Sequence, residues 1–222
     1  MKPIIRWTVG PKKYLCDDLI LRKSIKNFQL IYGDKFEYFL CFNGRNESEF
    51  FDIKNVNFYQ QSHIKNMDVP KGVSWKLYPP RLNIKTHEIF IDHDLIIIDK
   101  IDKILNFVEN KNHFIYSRSL HRNYGQFDSK VKPGFRLNSG LFGVPPNFNF
   151  VGIEEIKWDQ YFDEQGFVAS LLCQQKNLIE IPLSEIMICD GVELTRNVKG
   201  YHMVNNGQRE NSWISFLKKT VL

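Results

Sequence analysis

Apolar positions along this chain recur in two rhythms. Ile4-Ile5-Arg6-Trp7-Thr8-Val9 is β-branched and aromatic and stops at Gly10-Pro11, the pattern of a strand. Leu21, Ile25, Phe28 and Tyr32 then repeat at helical spacing, with Gly33 where a left-handed C-terminal cap falls. Phe36 to Phe42 reads as a second strand closed by Asn43-Gly44, so the chain opens with a βαβ unit. Residues 45–74 are mixed and polar and predict loops with a short helix or strand, and Pro79-Pro80 followed by Arg81 permits no long helix. A helix is expected through Ile101, Ile104, Leu105 and Val108, a strand from His113 to Ser117, and a long polar connection from Arg118 to Arg136. Leu137 to Val144 returns to strand character, interrupted by Gly140 and Gly143. A helix around Asp159 to Gln175 and short strands over Leu178 to Leu183 and Glu185 to Cys189 complete the pattern. This alternation predicts an α/β fold: a single domain over 1–222 with a central, mainly parallel mixed sheet flanked by helices.

Composition narrows the class. At 222 residues and 43% hydrophobic content, one domain can bury a full core. The net charge of +5 is scattered without a basic block, which suits anionic substrates and gives no reason to expect nucleic acid. No apolar run is long enough for a transmembrane segment and no signal core opens the chain, so a soluble, cytoplasmic protein is expected. Cys16, Cys41, Cys173 and Cys189 lack metal-finger or redox spacing and read as free, buried thiols. Tyr116, Tyr124 and Trp158 read as packing residues, and Arg118, Arg122 and Lys132 as a solvated face.

The chemistry concentrates in Glu88-Ile89-Phe90-Ile91-Asp92-His93-Asp94-Leu95-Ile96-Ile97-Ile98, where two carboxylates stand inside an apolar run. An unpartnered carboxylate removed from water costs several kcal/mol, so the pair implies a cation, a set of hydrogen bonds, or a strand end opening into a cleft. In an extended segment Asp92 and Asp94 share a face and His93 points away. Oxygen ligands suit Mg²⁺ or Mn²⁺, whose shells are commonly completed by phosphate oxygens and water.

The order of motifs resembles that of a GT-A glycosyltransferase, a nucleotide-diphospho-sugar transferase, and is most similar to the glycogenin and galactosyltransferase-like family. Thr8-Val9-Gly10 stands where that family holds the nucleoside, and Arg81, eleven residues before Asp92, resembles its donor-contacting arginine. Asp92-His93-Asp94 resembles its Asp-x-Asp motif, and Asn138-Ser139-Gly140 the segment lining the sugar pocket. Asp163-Glu164-Gln165 is similar to the Asp-Gln segment below that pocket, with Glu164 where an aspartate is usual. Lys199-Gly200-Tyr201-His202 resembles the strand end carrying a histidine ligand, after which Gly207, Arg209 and Trp213 replace the family's Gly and Lys-Pro-Trp.

The resemblance implies a nucleotide-binding half at about 1–100 and an acceptor and sugar half at about 101–222. It implies a metal site of Asp92, Asp94 and His202 for Mn²⁺ or Mg²⁺, with Asp92 also reaching the donor ribose. It further implies catalytic candidates Asp163, Glu164 and Gln165, diphosphate contacts from Arg81 and Lys199, a uridine diphosphate sugar donor, and a glycan or glycoprotein acceptor. Two other readings stand beside it: a haloacid-dehalogenase-like phosphatase using Asp92 as nucleophile, and a catalytically silent nucleotide-sugar or glycan-binding module. Asp190, before Gly191, is a spare carboxylate.

Overall fold

The computed structural model describes residues 1–11, 15–61, 74–189, 197–204 and 213–216; Asp190, Gly191, Gly207 and Arg209 lie outside them. β1 (Ile4–Val9), α1 (Leu15–Tyr32) and β2 (Glu37–Phe42) form the opening βαβ unit, and Gly33 takes the expected left-handed conformation at φ +59°. β3 (Asn57–Gln60) and β4 (Glu88–Asp92) follow, with a 3₁₀ turn over Ser74–Leu77 between them. β5 (Leu95–Ile97), α2 (Asp102–Glu109), β6 (Phe114–Arg118) and β7 (Leu137–Val144) come next, with a 3₁₀ segment over Gly125–Lys130. α3 (Asp163–Leu172), β8 (Leu178–Ile181), β9 (Ile186–Ile188) and β10 (Gly200–His202) complete the labelled elements.

The main sheet runs β3-β2-β1-β4-β7-β6-β8, and β5-β10-β9 form a second, three-stranded sheet. β1 is parallel to β2 and β4, whereas β7 is antiparallel to both β4 and β6. Strand alternation divides the core. Ile5, Trp7, Val9, Ile89 and Ile91 pack with α1 and α2, while Phe90, Phe142 and Val144 pack on the opposite face with Phe167 and Leu172 of α3. All four cysteines are buried, as expected of thiols packed in a core. Tyr116 and Tyr124 are buried, Trp158 packs against their cluster, and Trp213 joins a third cluster with Ile96 and Tyr201.

The structure corrects the expectation that Asp92 and Asp94 lie in one extended strand. β4 ends at Asp92, residues 93–94 turn, and the chain resumes as β5 in the other sheet. Ile89, Ile91, Leu95 and Ile97 are all buried in one cluster, so hydropathy runs unbroken across the turn and hides it. Arg122 donates to the carbonyls of Asp128, Val131 and Lys132, tying the long polar connection to itself where a solvated face was expected.

Candidate active site

Glu88, Phe90 and Asp92 share one face of β4 by alternation, and Asp92 is the last residue before the sheet opens. Across the parallel pairing Thr8 sits beside Asp92, so β1 and β4 present their carboxyl ends together, where open α/β sheets take ligands. Gly10 follows at the end of β1 under the indole of Trp75, where a Cβ would stand 2.9 Å from the ring, and the Val9 side chain is in the core.

Asp94 lies in the turn directly before β5, and His202 ends β10 of the second sheet. His202 Nε2 lies 3.1 Å from Asp94 Oδ1 and 3.7 Å from Asp92 Oδ2, and one ligand atom from each of the three residues falls within 4.8 Å of the others. Two carboxylates and one imidazole converging from a cleft edge are a donor set that fits a divalent cation. Gly140 makes room for the imidazole: a Cβ there would stand 2.3 Å from His202 Cε1. His202 Nδ1 is buried with no hydrogen-bond partner among the described residues.

Electrostatics bind the group together. Burial disfavours a charged His202, but the charge and hydrogen bond of Asp94 outweigh it and raise the imidazole pKa. Burial works against ionised Asp94 in the same way, and His202 followed by His93 overrides it, holding the carboxyl at about 2. His93, between Asp92 and Asp94 in the turn, lies 3.8 Å from Asp17. Burial opposes its charge, but Asp17 and Asp94 raise its pKa to about 9.

Lys76, which sequence reasoning missed, joins the metal group to the helix behind it. Its ammonium lies 3.0 Å from Asp92 Oδ1 and 2.8 Å from Glu164 Oε1, and it donates to both the carbonyl and hydroxyl oxygens of Ser139 at 3.1 Å. Burial lowers the lysine pKa, but the two carboxylates overcome it and keep the ammonium charged. Glu164 is pushed up by its own burial, against the pull of Lys76. Ser139 donates its hydroxyl to Glu164 at 3.2 Å and its N–H to Gln165 Oε1 at 3.2 Å. A register shift between Tyr116 and Ser117, where β6 meets β7, leaves Ser139, Gly140 and Leu141 out of the pairing with β6, just after Asn138, which still pairs with Ser117. Asn138 Oδ1 accepts from Gly140 N at 2.8 Å and so shapes that bulge.

Three expected site residues are not brought into this cluster. Arg81 gives its guanidinium to Glu88 and to the carbonyls of Asn83, Thr86, Pro145 and Phe148, beside the opposite end of β4 from Asp92. Lys199 pairs with Glu185 at 3.8 Å, before β10 begins. Asp163 accepts from the backbone N–H groups of Gln126, Asp159 and Gln160 at 2.8–2.9 Å and from Gln126 Nε2 at 2.7 Å, so its lone pairs are spent inside the fold. Spacing alone does not separate these residues from Lys76, sixteen positions before Asp92. The available signal was a lone lysine between Trp75 and Leu77.

No protein-family model and no curated protein matches the sequence. Among solved structures, the chain is similar to the galactosyltransferase LgtC in complex with donor and acceptor sugar analogues. The TM-score is 0.63 at 11% identity, over 99% of this chain and 97% of that one. Mouse xyloside xylosyltransferase 1 superposes with a TM-score of 0.59 at 11% identity, over 93% and 99% of the two chains. The glycosyltransferase GlyE of Streptococcus pneumoniae gives 0.61 at 11%, over 98% of this chain and 60% of that one. The chain therefore has the GT-A nucleotide-diphospho-sugar transferase fold.

Proposed function

We propose that this chain is a divalent-metal-dependent glycosyltransferase that moves a sugar from a nucleoside diphosphate, a uridine diphosphate sugar, to the hydroxyl of a glycan or glycoprotein. The observation that carries the reading is the convergence of Asp92, Asp94 and His202 on one point at the strand ends of a sugar-transferase fold. Asp92, Asp94 and His202 hold Mn²⁺ or Mg²⁺, and the imidazole tips the preference toward Mn²⁺. When bound, the cation supplies Lewis-acid charge to the leaving diphosphate.

The protein's own groups do the rest. His202, whose pKa is raised, gives up its proton before it can ligate. The Lys76 ammonium, already charged and buried, offers a second positive charge to the diphosphate as the anomeric C–O bond breaks, the role expected of Arg81 and Lys199. Thr8, Val9 and Gly10 receive the nucleoside at the end of β1. Asn138, Ser139 and Gly140 border the sugar. Glu164 faces it as hydrogen-bond acceptor or proton carrier, a task suited to a buried carboxyl with a raised pKa. Gln165 positions Ser139, because its amide is engaged by Ser139 N and Asn123 O. The nucleotide-binding half spans about 1–100 and the sugar and acceptor half about 101–222.

Calorimetric titration of uridine and guanosine diphosphates, with and without Mn²⁺, into wild type and Asp94→Asn tests this. Uridine diphosphate is expected to bind only with Mn²⁺, and Asp94→Asn to weaken it by more than about tenfold, since losing a ligand exceeds losing one of its supports. Metal-independent binding, or full retention in Asp94→Asn, sinks the metal assignment. Absence of nucleotide binding together with phosphate release from a phosphomonoester would favour the phosphatase.

A further inference from the structure

The four tryptophans of the chain do not serve alike. Trp7 and Trp213 are buried, and Trp158 packs on the core cluster that holds α3. Trp75 is half-buried and belongs to none of the three clusters formed by the described residues. Its indole lies instead on Gly10, at the carboxyl end of β1. A Cβ on Gly10 would stand 2.9 Å from Cζ2, 3.2 Å from Cη2 and 3.4 Å from Cε2 of the ring, so a glycine is what lets the indole settle there.

The turn that carries the indole is pinned through its backbone. Gln61, buried just after β3, donates its side-chain amide to the carbonyls of Trp75, at 3.0 Å, and of Tyr78. Its own N–H is given to the Phe42 carbonyl at 2.9 Å, which fixes it to the end of β2. Arg6, buried in β1, donates to the carbonyls of Lys76 and Pro79. Trp75, Lys76, Tyr78 and Pro79 thus each accept from a buried side chain that is itself part of the sheet or its edge. A large apolar ring kept out of the core on so fixed a backbone is a surface prepared before any ligand arrives. The next residue along the turn is Lys76, whose ammonium reaches Asp92 and Glu164. One short turn therefore offers an aromatic ring at the end of β1 and a cation at the metal group.

We propose that Trp75 carries the nucleobase of the donor by stacking, so that the base meets the end of β1 through the indole and is held by its face. The proposal rests on the glycosyltransferase reading and names the residue that grips the base. A nucleoside diphosphate has the matching division of chemistry: a flat π-surface at one end for the ring and a diphosphate at the other for Lys76 and the cation. Stacking is tolerant of base identity, because every base has a π-face. Trp75 accordingly supplies affinity common to pyrimidine and purine nucleotides, and preference for uracil comes from other groups.

Calorimetric titration of uridine diphosphate, guanosine diphosphate and pyrophosphate, each with Mn²⁺, into wild type, Trp75→Ala and Trp75→Phe tests the platform. Trp75→Ala should weaken both nucleotides about tenfold and leave pyrophosphate, which has no base, at wild-type affinity, while Trp75→Phe should recover most of the loss. Unchanged nucleotide affinity in Trp75→Ala overturns the platform. So does an equal loss of pyrophosphate, which would assign the indole to the support of Lys76. Tighter nucleotide binding in Trp75→Ala also overturns it, since the ring would then be occupying the place of the base. A loss confined to one of the two nucleotides would mean that a base edge is read, against recognition by the face. If wild type binds pyrophosphate and neither nucleotide, the platform fails while the metal and diphosphate site stands. If wild type binds none of the three, the donor reading fails and the platform with it.

Discussion

At the scale of single residues, the site is a balance of charges that each need another. The pair of His202 and Asp94 shows this through pH. The folded, metal-free protein holds the His202 proton more tightly than the unfolded chain, so that contribution is complete below about 6.5 and is lost as pH rises through the raised value. Asp94 has the opposite sign: held at about 2, its contribution is complete above 3.8 and is lost as pH falls toward 2. With chelator present, urea denaturation should therefore show the pair worth most between 3.8 and 6.5, and Asp94→Asn should flatten both limbs. Limbs of equal steepness in wild type and variant would mean that the pair does not couple to folding. Lys76 shows why residues of this kind escape sequence reading. An ammonium is informative only when its partners are known, and here they arrive from β4, β7 and α3.

Among elements, legibility followed length. β1, α1, β2, α2, β7 and α3 each carry enough apolar positions to declare a period, and each lies close to where the pattern placed it. The second sheet is legible only in part: β9 lies inside the strand expected over Glu185 to Cys189, whereas the three residues of β5 merge with the apolar run of β4 and the three of β10 carry no period of their own. The Asp-x-Asp pair and the histidine were legible as residue types in order, whereas the bulge in β7 that releases Ser139 and Gly140 from β6 was visible only as two glycines. Asp163 was legible as an acidic first-turn residue, and the structure makes it the fastening of a turn. Asp163→Ala strands four donors, three of them backbone. It should cost about 2–4 kcal/mol in chemical denaturation, since each buried donor left unpaired carries its own penalty. A cost below about 1 kcal/mol would show that water replaces the carboxylate freely.

For the whole molecule, the end of β4 away from the site is as charged as the site itself, and there the charges are structural. Glu88 is fully buried between Arg6 at 2.9 Å and Arg81 at 3.0 Å, and the Arg6 guanidinium stacks 4.2 Å over Phe90 while donating to the carbonyls of Lys76 and Pro79. Glu88→Ala leaves two guanidinium groups without their anion and should lower stability by about 3–5 kcal/mol, measured by urea denaturation. A loss below about 1 kcal/mol would mean that the arginines find other partners at little cost. The turn at His93 has a wider consequence. Because the chain leaves one sheet at Asp92 and enters another at Leu95, and His202 returns from that second sheet, the three candidate ligands straddle a seam. An ion seated there would act as a rivet across two sheets that already share one buried cluster. Affinity for it is then a property of how those sheets are aligned, and substitutions in β9 that never touch the ion would be read out as changes in its grip.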